Sequence, residues 1–166
     1  MAEADPTVII RDALPEDAAA VDHVLRSLGW FEHLDTIPPA ETQARIAHVI
    51  VEKCSPGGDH VLLVAETAGE STGGVVGYAF VHWLPNLIFG GEGYVSELFL
   101  LPDARGQGIG AALLDEAKRR GIARGYQRLT LFNNRRRESY QRGFYPKHGW
   151  VERDDAALFM YYLDEE

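Results

Sequence analysis

Apolar residues run along this chain in short blocks, and glycine or proline closes most of them. Val8-Ile9-Ile10 predicts a first strand. Pro15 opens a helix from Ala18 to Leu28, which Gly29 stops. Pro38-Pro39 introduces a second helix, Ala40 to about Lys53, in which Ala44, Ile46, Val49, Ile50 and Val51 supply the apolar faces. Ser55-Pro-Gly-Gly58 breaks it. His60 to Glu66 and Val75 to Trp83 read as paired strands across the small, polar turn Thr67 to Gly74. Tyr94 to Leu101 is a central strand. It leads into an amphipathic helix, Gly108 to Arg124, with Ile109, Ala112, Leu113 and Ala117 on one face. Lys118, Arg119, Arg120 and Arg124 sit near its end, matching the negative pole of the helix dipole, and Gly125 terminates it. A strand at Arg128 to Phe132, a helix around Ser139 to His148 and a last strand at Leu158 to Leu163 complete an α/β pattern without an internal repeat.

The most informative stretch joins the central strand to the helix after it, Leu98-Phe-Leu-Leu-Pro-Asp-Ala-Arg-Gly-Gln-Gly-Ile-Gly-Ala-Ala-Leu-Leu114. A helix start leaves backbone N–H groups without carbonyl partners, with the positive end of the dipole behind them. Glycines at 106, 108 and 110 remove the β-carbons that keep a phosphate oxygen away from such amides, and Arg105 adds a cationic fork suited to a diphosphate. A tight turn with glycines for packing alone is the competing account. It explains one glycine but not three with the arginine.

Two phosphate motifs are tested by the letters. The P-loop needs Lys-Ser or Lys-Thr after its glycines, and neither pair occurs in the chain. Gly106, Gly108 and Ala111 match the dinucleotide fingerprint, which also needs an acid after the next strand. Here that strand ends in Asn133-Asn134 and Arg135-Arg136-Arg137, and fewer than 60 residues follow the turn. NAD is therefore disfavoured.

Arg105-x-x-Gly108-x-Gly110 after a strand ending Leu-Leu-Pro-Asp resembles the acetyl-CoA pyrophosphate loop of the GNAT superfamily of N-acetyltransferases. Phe144-Tyr145-Pro-Lys-His-Gly149-Trp150 is similar to that family's Phe-Tyr-x-x-x-Gly-Phe segment, in the expected order. The resemblance implies a single α+β domain over residues 1–166, with a mixed, mostly antiparallel central sheet flanked by helices. It implies acetyl-CoA as co-substrate, a primary amine of a small molecule or protein as acceptor, and direct attack in a ternary complex, since no motif-matched cysteine nucleophile is present. A non-catalytic acyl-CoA sensor of the same fold is the alternative.

Residue by residue, the resemblance assigns the carrier to Arg105, Gly106, Gln107, Gly108, Ile109, Gly110 and Ala111. The Leu98 N–H falls at the acetyl oxygen and Leu100 lies further along the pantetheine arm. Tyr145 becomes the general acid, with aromatic packing beside Phe144 and Trp150 as the bland alternative. Asn134 stands where family members place an asparagine touching CoA. Regular alternation puts Tyr94, Ser96, Leu98 and Leu100 on one face of the strand, and Val95, Glu97 and Phe99 on the other. The usual base positions are then Ser96 and Tyr94, so the base stays open between Glu97, Glu92 through water, and a water chain. Glu97 points away in a regular strand, though a bulge would change that, and it reads equally as a buried, paired structural acid. Arg135-Arg136-Arg137 meets the adenosine 3′-phosphate or is a solvated turn. Trp30, Phe31 and the segment Trp83 to Gly91 lie where the family builds acceptor sites, or pack a dimer interface; a homodimer is common in similar proteins.

Composition narrows the picture further. A chain of 166 residues, 46% hydrophobic, has material for one proper core. The net charge of −9 leaves no phosphate-neutralising surplus for nucleic acid. The longest apolar candidate, Val75 to Phe89, is interrupted by His82, Pro85 and Asn86, so no membrane span is expected. The opening Met-Ala-Glu-Ala-Asp-Pro lacks an export signal, and the single Cys54 fits a reducing cytoplasm. The six histidines show no metal-ligand spacing, and no metal is expected.

Overall fold

The computed structural model describes residues 8–68 and 74–163. Most of the predicted Thr67–Gly74 turn and the opening six residues fall outside that range. The chain divides into two compact units, residues 1–132 and 133–166.

The first unit holds five strands in sequential order, β1 Val8–Asp12, β2 His60–Thr67, β3 Gly74–Leu84, β4 Glu92–Leu100 and β5 Leu129–Leu131. The first three pairings are antiparallel and only β4–β5 is parallel, so the expected mixed, mostly antiparallel sheet is what forms. Helices α1 Ala18–Ser27, α2 Glu32–Asp35 and α3 Pro39–Lys53 lie between β1 and β2, and α4 Ile109–Ala123 links β4 to β5. Directly opposed residues of an antiparallel ladder share a face. One sheet face therefore carries Leu62, Val64, Tyr78, Phe80 and Phe99, packed with Val21 and Val24 of α1 and Ile46 and Ile50 of α3. The other carries Val61, Leu63, Ala79, Val81 and Val95, under Ile109, Leu113, Leu114 and Ala117 of α4.

A buried ion pair fixes the loop between α1 and α3. Asp22, 2% exposed, accepts both oxygens' worth of contact from Arg26 Nε at 3.0 and 3.1 Å. The remaining Arg26 nitrogens donate to Leu34 O, Ile37 O and Thr42 Oγ1 at 2.6 to 3.1 Å. A guanidinium spent on four partners leaves this loop, which carries Trp30 and Phe31, little freedom.

The β4 strand departs from regular alternation. Phe80 pairs with Glu97 and Val81 with Val95, so Ser96 has no partner on β3 and forms a bulge. One extra residue reverses the parity of everything after it. Glu97 and Phe99 thus share the α1 face with Tyr94, while Leu98 and Leu100 share the α4 face with Val95. The regular assignment of Tyr94, Ser96, Leu98 and Leu100 to one face is corrected accordingly.

The second unit contains two short helices, α5 Glu138–Gln141 and α6 Phe144–Lys147, in place of one continuous helix around 139–148. Gly143 between them sits at φ +64°, a conformation that ends one helix and turns into the next. The expected strand at 158–163 is not formed; these residues are extended or irregular, and exposed.

Candidate active site

The Arg105–Ala111 loop forms as a strand-to-helix turn. Gly106 and Gly108 both adopt φ +77°, a region closed to most side chains. No heavy atom lies within 4 Å of where a β-carbon would stand at either position. Packing therefore does not demand these glycines, whereas backbone conformation does, and their outer surface is open to a ligand. Gln107 ties the loop down by donating from Nε2 to Asp103 O at 2.7 Å. The first amide of α4 with a carbonyl partner is that of Ala112, on Gly108 O at 3.0 Å. Among the described residues, the amides of Gly106, Gln107, Gly108, Ile109, Gly110 and Ala111 have no hydrogen-bond partner. Arg105 is exposed beside them. Six donors at the positive pole of a fifteen-residue helix, with a guanidinium, fit a diphosphate.

The edge of β4 leads from this loop into the sheet. Its pairing with β5 stops at Val95–Leu131, yet β4 runs on to Leu100. Residues 96–100 thus present a strand edge with no ladder partner on the β5 side. Gly93, just before, still donates to Arg128 O at 3.1 Å. Leu98 and Leu100 both lie on the open stretch, and Ser96 stands at the fork itself.

On the α1 face beside the fork, the bulge gathers chemistry. Tyr78 Oη donates to Glu97 Oε2 at 2.6 Å. Burial, reinforced by that carboxylate, pushes the Tyr78 phenol well above its ordinary range, so it remains a donor to Glu97. Phe99 is met edge-on by Trp30 at 5.7 Å, Phe31 at 6.1 Å and Tyr78 at 5.8 Å. Tyr78 thus joins the Glu97 carboxylate to this aromatic cluster, a combination that suits an ammonium. Glu92 is committed elsewhere. Arg128 Nε at 2.6 Å and Asn86 Nδ2 at 2.9 Å hold it, and Arg128 first among them keeps its carboxyl below the usual range. Trp83 is likewise no acceptor wall. It is 2% exposed on the α4 face, under the Arg124 guanidinium and against Tyr126.

An acetyltransferase (GNAT) domain model matches residues 58–152, more than half of the chain, and spans the loop, the fork and Tyr145. The chain belongs to that family. Its members are acyl-CoA-dependent N-acetyltransferases, and this chain is one of them. A Mus musculus protein named thialysine N-epsilon-acetyltransferase is 27% identical over 128 residues, covering 74% of this chain and 72% of that one. Among solved structures, a transcriptional regulator from Bacillus halodurans C-125 superposes with a TM-score of 0.75 at 25% identity, covering 94% and 100% of the two chains. Glucosamine-6-phosphate N-acetyltransferase from Arabidopsis thaliana gives a TM-score of 0.71 at 19% identity, covering 95% and 99%, a likeness of fold.

The second unit of this GNAT chain holds the remaining expected residues. Tyr145, in α6, contacts Phe144 at 5.0 Å and Trp150 at 6.2 Å, and burial pushes its phenol up to about 12. The proton is thus retained at neutral pH, as a donor requires. Asn134 is exposed and its Oδ1 accepts from the Arg136 amide at 2.9 Å, shaping its own turn. Arg135 is paired with Glu152 at 2.8 Å. Among the described residues no cluster of three His, Cys, Asp or Glu side chains could hold a metal, and no helix is long and apolar enough to cross a membrane. Residue-level reading missed Tyr78 as the partner of Glu97, and allowed for a bulge in this strand without placing it at Ser96. The one hint was the polar pair Ser96-Glu97 inside an apolar strand, which breaks alternation.

Proposed function

We propose that this acetyltransferase moves an acetyl group from acetyl-CoA to a primary amine of a small molecule or protein, by direct attack within a ternary complex, residues 1–166 acting as one domain. Acetyl-CoA supplies the activated thioester when bound. The amides of Gly106 to Ala111 and Arg105 grip its diphosphate. Leu98 N–H on the open β4 edge donates to the acetyl oxygen, where charge develops, and Leu100 backbone guides the arm. Such a donor contributes about 3 kcal/mol to the rate. Asn134 keeps its amide nitrogen for the carrier. Tyr145 protonates the departing thiolate. Glu97 receives the acceptor ammonium and draws off its proton.

The observation that carries the reading is the bulge at Ser96. It turns the Glu97 carboxylate onto the aromatic face immediately beside the open strand edge, which regular alternation would have forbidden. The single Cys54 supports a cytoplasmic setting. The acceptor is read as a cationic amine, because Trp30, Phe31, Phe99 and Glu97 offer rings and one negative charge.

The test is thiol release from acetyl-CoA over thialysine, spermidine, glucosamine 6-phosphate, an aminoglycoside and an amino-terminal peptide. At least one amine is expected to raise the rate. Tyr145→Phe should then lower kcat by about 100-fold with acetyl-CoA affinity unchanged. Acetyl-CoA binding without release over the whole panel would favour a sensor of the same fold. Full turnover in Tyr145→Phe would remove that residue from the chemistry.

A further inference from the structure

Two histidines that the family resemblance does not use are joined to the bulge. His82 Nε2 lies 2.7 Å from Ser96 Oγ, and His82 Nδ1 lies 2.9 Å from His60 Nδ1. Ser96 Oγ also reaches Phe80 O at 3.4 Å. His60 and His82 oppose one another on neighbouring strands, and Tyr94 stacks on the His82 ring at 5.9 Å. His60 also lines a cavity of about 380 Å3, whose wall includes Asp12, Cys54, Arg124 and the exposed Ser55, Pro56 and Gly57. The contacts thus run without a break from the fork of the sheet to a cavity that reaches its surface.

We infer that Ser96, His82 and His60 form a proton path that carries the acceptor's ammonium proton from the fork to water in this cavity. The inference rests on the acetyl-transfer reading above. Each step exchanges one X–H bond for another. Ser96 Oγ takes a proton from the ammonium side, directly or from Glu97, and releases its own to His82 Nε2. The Nδ1 proton of His82 passes to Nδ1 of His60, and the Nε2 proton of His60 passes to water. The net change is one ammonium become an amine and one proton delivered to solvent, with both rings neutral before and after. Each imidazole is left in its other tautomer, which is why two neutral rings meeting nitrogen to nitrogen are suited to the task.

The surroundings of His82 favour its neutral ring. Burial, and then the neighbouring His60, lowers the pKa of His82. Tyr94 on β4 stacks on His82, and the cavity that His60 lines is shared by Asp12 on β1, Cys54 after α3, Arg119 and Arg120 on α4, and Arg124 just after it. Arg119 and Arg120 are both held by Glu116, and Arg120 also by Asp12. His82 and His60 act through Ser96, and so are positioning residues for the reaction.

Two measurements decide the matter. With the acceptor amine from the panel, kcat is followed between about pH 6 and 9.5 for the whole protein and for His82→Gln, which keeps a hydrogen-bonding side chain but passes no proton. His82→Gln is expected to lower kcat by about 100-fold near pH 7, to leave KM for acetyl-CoA unchanged, and to recover as rising pH delivers the amine already neutral. Added free imidazole should restore part of the loss. An unchanged pH profile would overturn the path. The second measurement needs no substrate: imidazole 15N NMR at pH 7 should show both rings neutral and exchanging tautomers, with Ser96→Ala locking His82 into one. Locked tautomers in the unmodified protein, or no response to Ser96→Ala, would overturn it equally. Absence of thiol release with every amine would instead sink the acetyl-transfer reading, and the NMR result would still judge the path.

Discussion

The two ends of helix α4 are finished in opposite ways. At its C-terminal end the cations are engaged: Arg119 and Arg120 hold Glu116, Arg120 also reaches Asp12, and Arg124 donates to Gly58 O at 2.6 Å while covering Trp83. The chain closes there with the Gly125 amide on Ile122 O and the Tyr126 amide on Gly121 O. At the N-terminal end six successive amides have no partner among the described residues, and no acidic side chain stands in the first turn. A fold able to cap one pole so fully has left the other bare. Bare donors in the open cost little because water satisfies them; presented together they are worth much to an anion. The lesson is that a binding end is recognised by what the rest of the helix shows could have been done and was not.

Filling the bare end should have the largest effect. Gly108→Val places a β-branched side chain at φ +77° and pushes it into the cradle. Loss of two charge-assisted contacts, each about 1.5 to 3 kcal/mol, predicts at least a 100-fold weaker acetyl-CoA affinity by calorimetry. An unchanged affinity would show that the glycines serve the turn alone.

Removing the charge but not the amides comes next. Arg105→Ala should weaken acetyl-CoA about tenfold and flatten the salt dependence of binding, because one screened cation has gone while the dipole remains. Arg105→Lys should recover part of the charge and lose the fork. Equal salt dependence in Arg105→Ala and the parent protein would place the diphosphate elsewhere.

The same contrast explains what could be read from the letters. The N-terminal loop of α4 is local: spacing, glycine and arginine lie within seven residues, and the structure needs no distant contact to give them meaning. The helices at 18–27 and 39–53 and all five strands of the first unit were equally legible, since each has its own period and its own punctuation. Glu97 was not, because its face depends on a one-residue slip between β3 and β4, and register is settled by packing across the sheet. The path through His60 and His82 has the same origin, for residues 22 positions apart meet only when β2 and β3 pair. Gly143 splits the helix expected near 139–148, a break that the apolar pattern around Phe144 and Tyr145 concealed. Leu158 to Leu163 has strand-forming residues, but propensity alone makes no ladder.

The closed end offers the smallest effect and the control for the others. Glu116 accepts from Arg119 and Arg120, and the Arg119 contact above all lowers its carboxyl to about 2 from an ordinary 4.5. A carboxylate depressed in the folded state adds stability above its unfolded pKa and loses it as pH falls through the folded one. Glu116→Gln should therefore cost about 1 kcal/mol at pH 7, a value reduced for solvent screening of a surface pair. The gap between variant and parent in urea midpoint should close as pH is lowered from 4.5 towards 2. Acetyl-CoA affinity at pH 7 should stay as it was, since Glu116 lies about 10 Å along α4 from Ile109 at a rise of about 1.5 Å per residue, and its carboxylate is held by Arg119 and Arg120. If Glu116→Gln instead weakened the carrier as much as Arg105→Ala does, the two ends would be coupled, and the division between a closed pole and a binding pole would fail.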